Sequence, residues 1–144
     1  MTLNLEQHPL FVYGTLRPGE KNYLRFLAGR TSRTSPASVS GRLYFVVDGG
    51  YPYLLPGEDT VRGDLIELAP RHYESTLRRI DRLEEYDPRD EDGSIYLRRR
   101  VRARVAGGKV QTAWVYYWNC QEIEGVWIES GDFSDRPSAK RSNR

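Results

Sequence analysis

Two alternating runs joined by Gly107-Gly108 limit this chain more than any other feature. Residues 95–106 and 110–119 read as strands, and the glycines between them supply the turn, so the pair is expected to be a β-hairpin. A hairpin that long needs cover. Only two stretches have helical spacing: a short one around Tyr23, Phe26 and Leu27, and a longer one over 71–86. Between them, 39–47, 51–55 and 61–68 read as strands. The order is a strand, a helix, three or four strands, a helix and the hairpin. Strands and helices do not alternate regularly, so the expected class is α+β: a small mixed, mostly antiparallel β-barrel with flanking helices.

Local chemistry marks the element ends. The run 39–47 sets Leu43, Phe45 and Val47 against Arg42, Tyr44 and Val46, and Asp48-Gly49-Gly50 ends it as a turn. Residues 31–40, rich in Ser and Thr and holding Pro36, read as a loop. Pro52 suits an edge or irregular segment. Pro70 opens the second helix where a missing N–H costs nothing, and Asp87-Pro88 is expected to close it.

At 144 residues and 38% hydrophobic, the chain fits one domain with one core, expected over 8–130. Beyond Gly131 the apolar content falls, so 131–144 reads as a disordered basic tail. The net charge of +2 comes from the last thirteen residues; without them basic and acidic groups balance. A neutral body argues against a nucleic-acid surface. Arg98, Arg100, Arg102 and Arg104 form a stripe with Tyr96, which reads as a solvated face, with Arg98 kept as a candidate for the rim of a site. Trp114, Tyr116 and Trp118 alternate on the partner strand and read as core or sheet surface.

Cys120 stands alone, so no intrachain disulfide is expected, and His8 and His72 fall in no metal-ligand spacing. Residues 1–9 do not resemble a signal peptide, and no apolar run reaches membrane-spanning length. The expected location is cytoplasmic, away from membranes.

Two places carry candidate chemistry. In Phe11-Val12-Tyr13-Gly14-Thr15-Leu16-Arg17-Pro18-Gly19 an apolar strand runs into a glycine turn and then a short helix. Gly14 tolerates positive φ and close approach of another molecule, and backbone N–H groups not yet used by a helix can bind an oxyanion or carboxylate. The same shape also serves as a corner without a ligand. The second place is the long helix. At about 100° per residue from Tyr73, Leu77, Ile80 and Leu83 define an apolar stripe; Glu84 falls inside it, near +20°, and Glu85 near +120° on the polar side. Glu85 reads as a solvated acid. Glu84 is either an acid that escapes to water or pairs with an arginine, or one whose pKa is raised for proton transfer near neutrality.

Taken in order, Tyr13-Gly14-Thr15-Leu16-Arg17 with Gly19 and Asn22, Gly41-Arg42-Leu43-Tyr44, Tyr51-Pro52, Val61-Arg62-Gly63-Asp64-Leu65, Ile80-Asp81-Arg82-Leu83-Glu84, Tyr96-Leu97-Arg98 and Ala113-Trp114-Val115-Tyr116 resemble the gamma-glutamylcyclotransferase-like superfamily. The nearest branch is that of gamma-glutamylamine cyclotransferases and avirulence-induced plant proteins. The resemblance implies a small mixed barrel. It also implies that Tyr13, Gly14, Thr15 and Leu16, with Arg17 and Arg98 beside them, hold a small γ-glutamyl substrate, and that Glu84 is the catalytic acid/base. Many relatives have glycine after that glutamate, where this chain has Glu85. The implied reaction is cyclisation of a γ-glutamyl amine or peptide to 5-oxoproline with release of the amine, without metal, nucleotide or other cofactor. The other class that fits is a non-catalytic ligand-binding or interaction module on the same fold. Oligomeric state is left open.

Overall fold

The computed structural model describes residues 7–120 and 125–137. Its elements run β1 (Leu10–Val12), α1 (Lys21–Phe26), β2 (Thr31–Val46), β3 (Tyr51–Leu68), α2 (Tyr73–Leu83), β4 (Tyr96–Val105), β5 (Val110–Trp118) and β6 (Val126–Trp127). Five strands close into a barrel in the order β3-β1-β5-β4-β2 and back to β3; β6 lies outside on β2, at Tyr44 and Phe45. One pairing, β1 with β5 at Leu10↔Trp114, is parallel, and the others are antiparallel. The α+β barrel with flanking helices is therefore present, and its hairpin is β4–β5, paired from Tyr96↔Trp118 to Arg104↔Val110. No helix among the described residues is long and apolar enough to cross a membrane.

The segment 31–40 differs from expectation. It is the first half of β2, laddered to β3 from Thr31↔Leu68 to Gly41↔Asp59. Its Ser and Thr side chains hid the strand, because only Ala37 and Val39 among them join the barrel core. Strand pairing in a barrel is decided by neighbours more than by composition. The separate runs 51–55 and 61–68 are likewise one strand, β3, so two long strands stand where three or four short ones were expected. A register shift at Gly41/Arg42 bends the pair.

Two groups of buried side chains hold the fold. One fills the barrel, with Phe11, Leu43, Phe45, Val61 and Leu65 among its members. The other lies beneath the helices and includes Leu10, Val12, Ile66, Leu77 and Ile80. In β1 the two sets alternate, Phe11 to one and Leu10 and Val12 to the other. That explains a short strand apolar at every position, since both its faces are covered. Gly63 makes the crossing possible: a Cβ there would strike the Val12 carbonyl oxygen and the Phe11 ring.

The expected tail is corrected over 131–137. Phe133 is 1% exposed, belongs to the barrel core and meets Phe45 edge-on, with ring centres 5.9 Å apart. The Arg136 guanidinium covers the outer side of its ring at 4.1 Å. Arg17 donates to Asp132 at 2.9 Å, and the Gly131 carbonyl accepts from the Arg62 N–H at 2.8 Å. A single aromatic in a polar run carries no periodicity, so its anchoring was not legible. Residues 138–144, the rest of the expected tail, lie outside the described residues.

Candidate active site

The end of β1 forms one wall. Tyr13 is buried and its hydroxyl donates to the Tyr116 carbonyl at 2.7 Å, which fixes the turn against β5. The Arg17 N–H closes the turn on the Gly14 carbonyl at 3.0 Å. Asn22, in α1, donates twice to Thr15: backbone N–H to carbonyl at 2.9 Å, and side-chain amide to hydroxyl at 2.9 Å. Thr15 and Leu16 are thus held while their own N–H groups have no protein acceptor among the described residues. Such preset donors suit an anion or a polarised carbonyl. The need for glycine at Gly14 is steric rather than conformational. Its φ is not positive; a Cβ there would collide with the Pro52 ring.

The end of α2 forms the opposite wall. The helix stops earlier than Asp87-Pro88 implied, with Glu84 as its C-cap. The Glu85 N–H donates to the Arg82 carbonyl at 3.1 Å and the Tyr86 N–H to the Asp81 carbonyl at 2.9 Å, while Glu85 takes φ +55. This pair of bonds around a left-handed residue is the Schellman turn. It leaves Glu84 half-buried and Glu85 exposed.

Both walls line one cavity of about 300 Å³, at the small end of ligand-pocket sizes. Tyr13, Gly14, Thr15 and Leu16 reach it from the turn, and Glu84 and Glu85 from the helix end. The hairpin adds Tyr96, Tyr116 and Trp118, β3 adds Tyr51 and Pro52, and Lys21 and Asn22 come from α1. Burial pushes the Glu84 carboxyl up to about 8, with the charges of Asp81 and then Glu85 adding to it. Burial also raises the hydroxyls of Tyr13, Tyr96 and Tyr116, so they stay neutral near that carboxyl, with their protons given to the Tyr116 carbonyl, the Pro52 carbonyl and Asp81 in turn.

Two expected residues lie elsewhere. Arg17 is not among the lining residues; it pairs with Asp64 at 2.9 Å and Asp132 at 2.9 Å, bracing the turn from behind. Arg98 is also outside the lining and pairs with Asp81 at 2.9 Å. Conversely, Trp118 does line the cavity. It stacks on Tyr53 at 4.5 Å, and its indole N–H is buried without a partner among the described residues. The register pair Tyr96↔Trp118 could have flagged it, since cross-strand partners share a face.

The comparisons with known proteins agree with this architecture. Residues 10–135 match the model of the family described as gamma-glutamyl cyclotransferase, AIG2-like. The chain is 38% identical over 112 residues to gamma-L-glutamyl-butirosin B gamma-glutamyl cyclotransferase of Niallia circulans, covering 76% of this chain and 66% of that relative, just under two thirds of its length. A Vibrio cholerae relative is 32% identical over 130 residues, 90% of this chain and 98% of its own. The crystal structure of an AIG2-like protein from Mus musculus superposes with a TM-score of 0.60 at 25% identity, covering 76% of each chain. From its barrel and from a family match over nearly all of the folded chain, this protein belongs to the gamma-glutamyl cyclotransferase, AIG2-like, family.

Proposed function

We propose that the chain cyclises the γ-glutamyl group of a γ-glutamyl amine or peptide to 5-oxoproline and releases the amine. The substrate's α-nitrogen attacks its own γ-carbonyl carbon; the new C–N bond closes the five-membered lactam and the old γ-amide C–N bond breaks. Both reacting groups belong to one molecule, so the protein's task is to fold it into an attack geometry and manage protons. Glu84 takes a proton from the α-ammonium and returns one to the departing nitrogen, leaving its own charge unchanged over the cycle. The N–H groups of Thr15 and Leu16 stabilise the oxyanion of the tetrahedral intermediate.

The observation that carries this reading is that Glu84, with its raised pKa, and the free turn N–H groups line one cavity. The test is to incubate the protein with γ-glutamyl amines, γ-glutamyl dipeptides and glutathione and to assay 5-oxoproline. Glu84→Gln keeps the shape but cannot cycle a proton, and turnover on the best substrate should fall roughly 10²–10⁴-fold with little change in affinity. Full turnover by Glu84→Gln would remove the mechanism. A γ-glutamyl compound that bound wild type and Glu84→Gln alike without being turned over would favour the binding-module reading.

A further inference from the structure

Asp81 lies three residues before Glu84 on α2, one turn back on the same face, and is 8% exposed. Three donors converge on its side chain: Arg98 Nε at 2.9 Å, Arg98 Nη2 at 3.2 Å and the Tyr116 hydroxyl at 2.6 Å. A side chain surrounded by donors, one of them a forked guanidinium, is in its element as a carboxylate. Arg98 is itself clamped, 4.6 Å above the Trp114 ring and 5.5 Å from that of Tyr86. Tyr116 faces both ways: its hydroxyl gives to Asp81 while its carbonyl accepts from Tyr13, so one residue of β5 ties the helix to the turn.

An ion pair that served only to dock α2 on the hairpin could sit anywhere along the helix. This one sits where its negative charge bears on the candidate acid/base. Glu84 shares its cavity with Tyr13 from the turn after β1, Lys21 from α1, Tyr51 from β3, Tyr96 from β4, Tyr116 from β5 and its neighbour Glu85. Lys21 and Glu85 are exposed, so water weakens their influence, and Glu85 raises the Glu84 carboxyl less than Asp81 does. Among the described residues Asp81, paired with the largely buried Arg98, is the buried acid near Glu84, and after burial itself its charge does most to push that carboxyl up.

We propose that Asp81 is a positioning residue of the reaction: a clamped negative charge, held by Arg98 and Tyr116, that governs how readily Glu84 exchanges its proton with the substrate nitrogens. This rests on the reading of Glu84 as the acid/base. The purpose is a match of proton affinities. The α-ammonium of such a substrate sits beside its own free carboxylate and holds its proton at least as tightly as a chain's N-terminal amine at about 8, so an ordinary carboxylate at about 4.3 is too weak a base to accept it efficiently. A negative charge locked one turn away strengthens Glu84 as a base without touching the substrate. It also gives Arg98 a role, as the clamp on Asp81 rather than as a ligand.

The test uses the full chain with carbon-13-labelled glutamate, following the Glu84 carboxyl by NMR across pH, and the pH profile of kcat/KM for 5-oxoproline formation. Asp81→Asn should lower the Glu84 midpoint by about one pH unit and carry the rising limb of the profile with it. Tyr116→Phe removes one donor from Asp81, leaves its charge less quenched and should move the midpoint up. Opposite shifts are the signature, because general loosening of the site would move both variants the same way. Unchanged midpoints in both, or shifts of one sign, overturn the proposal; if Asp81→Asn does not fold, a Tyr116→Phe midpoint that stays or falls does so alone. The titration is read in the free protein, so the opposite shifts support Asp81's hold on Glu84 even where no γ-glutamyl compound turns over, an outcome that fails the reaction reading alone.

Discussion

Glu85 is the position at which sequence and geometry disagree most usefully. It takes φ +55, the conformation that glycine adopts freely and other residues adopt at a cost of roughly 1–2 kcal/mol. Its bonds are those of a helix-ending turn where glycine is the usual residue. A glycine here, as the family resemblance implies, would have a backbone reason; this chain instead has a charge that adds to the raised pKa of Glu84. Glu85→Gly should stabilise the fold by about 1 kcal/mol, after allowing for the freedom glycine gains in the unfolded chain. Glu85→Gln, which keeps the strain, should not. Both should lower the Glu84 titration midpoint. Thermal melts and the carboxyl titration separate the two effects, and a Glu85→Gly protein that melts below wild type would contradict the strain argument. The inward lean of Glu84 was legible because Tyr73, Leu77 and Ile80 define the stripe up to the helix end. The conformation of Glu85 was not, because a helical plot continues through a turn that no glycine announces.

Whole elements were legible where a side chain repeats and illegible where the backbone alone does the pairing. The hairpin β4–β5 and the apolar face of α2 follow from alternation and 3.6-residue spacing. The arginine stripe was legible only as a face. Arg102 and Arg104 are exposed as a solvated stripe requires, but α2 covers the other end, where Arg98 meets Asp81. The first half of β2 was missed because its side chains are mostly polar, and β6 because two residues, Val126 and Trp127, are too short a run to show alternation; only a ladder to β3 or to Tyr44 and Phe45 identifies them. The segment after Gly131 was missed for a related reason: one phenylalanine docks it. Phe133→Ala should therefore cost about 3–5 kcal/mol, the usual range for a buried phenylalanine, and lower the melting temperature by roughly 10 °C or more. Arg136→Ala, which removes the cover over the ring, a hydrogen bond to the Phe133 carbonyl and a partly exposed ion pair with Glu20 at 3.5 Å, should cost less than losing the ring itself. A chain cut after residue 131 that melted like the full chain would show that the docking contributes nothing.

At the scale of the whole molecule, the closed barrel brings Tyr13 and Tyr116, 103 residues apart, within one hydrogen bond, and carries the helix end to the same cavity. No local pattern encodes that convergence; it follows from ring closure, in which β1 is wedged between β3 and β5. Holding a carboxyl in such a cavity costs stability, and linkage fixes the sign. The Glu84 pKa rises from 4.5 to about 8 on folding, so between those values the native state binds the proton that the unfolded chain has released. The stabilising share of this group is full below its unfolded pKa and is lost as pH climbs through about 8; beyond that both states are ionised and no further loss follows. Glutamine at this position has no proton to lose. The stability difference between Glu84→Gln and wild type should accordingly be small at pH 5, grow steadily in favour of the mutant toward pH 8, and level off above it at a few kcal/mol, somewhat less than the full shift implies because the group is half-buried. Urea unfolding of both proteins at matched pH values measures this directly, since every other titrating group cancels in the comparison. A constant difference from pH 5 to pH 9 would mean that Glu84 titrates as an ordinary surface acid, and the same result would remove the physical basis for its role as a base near neutrality.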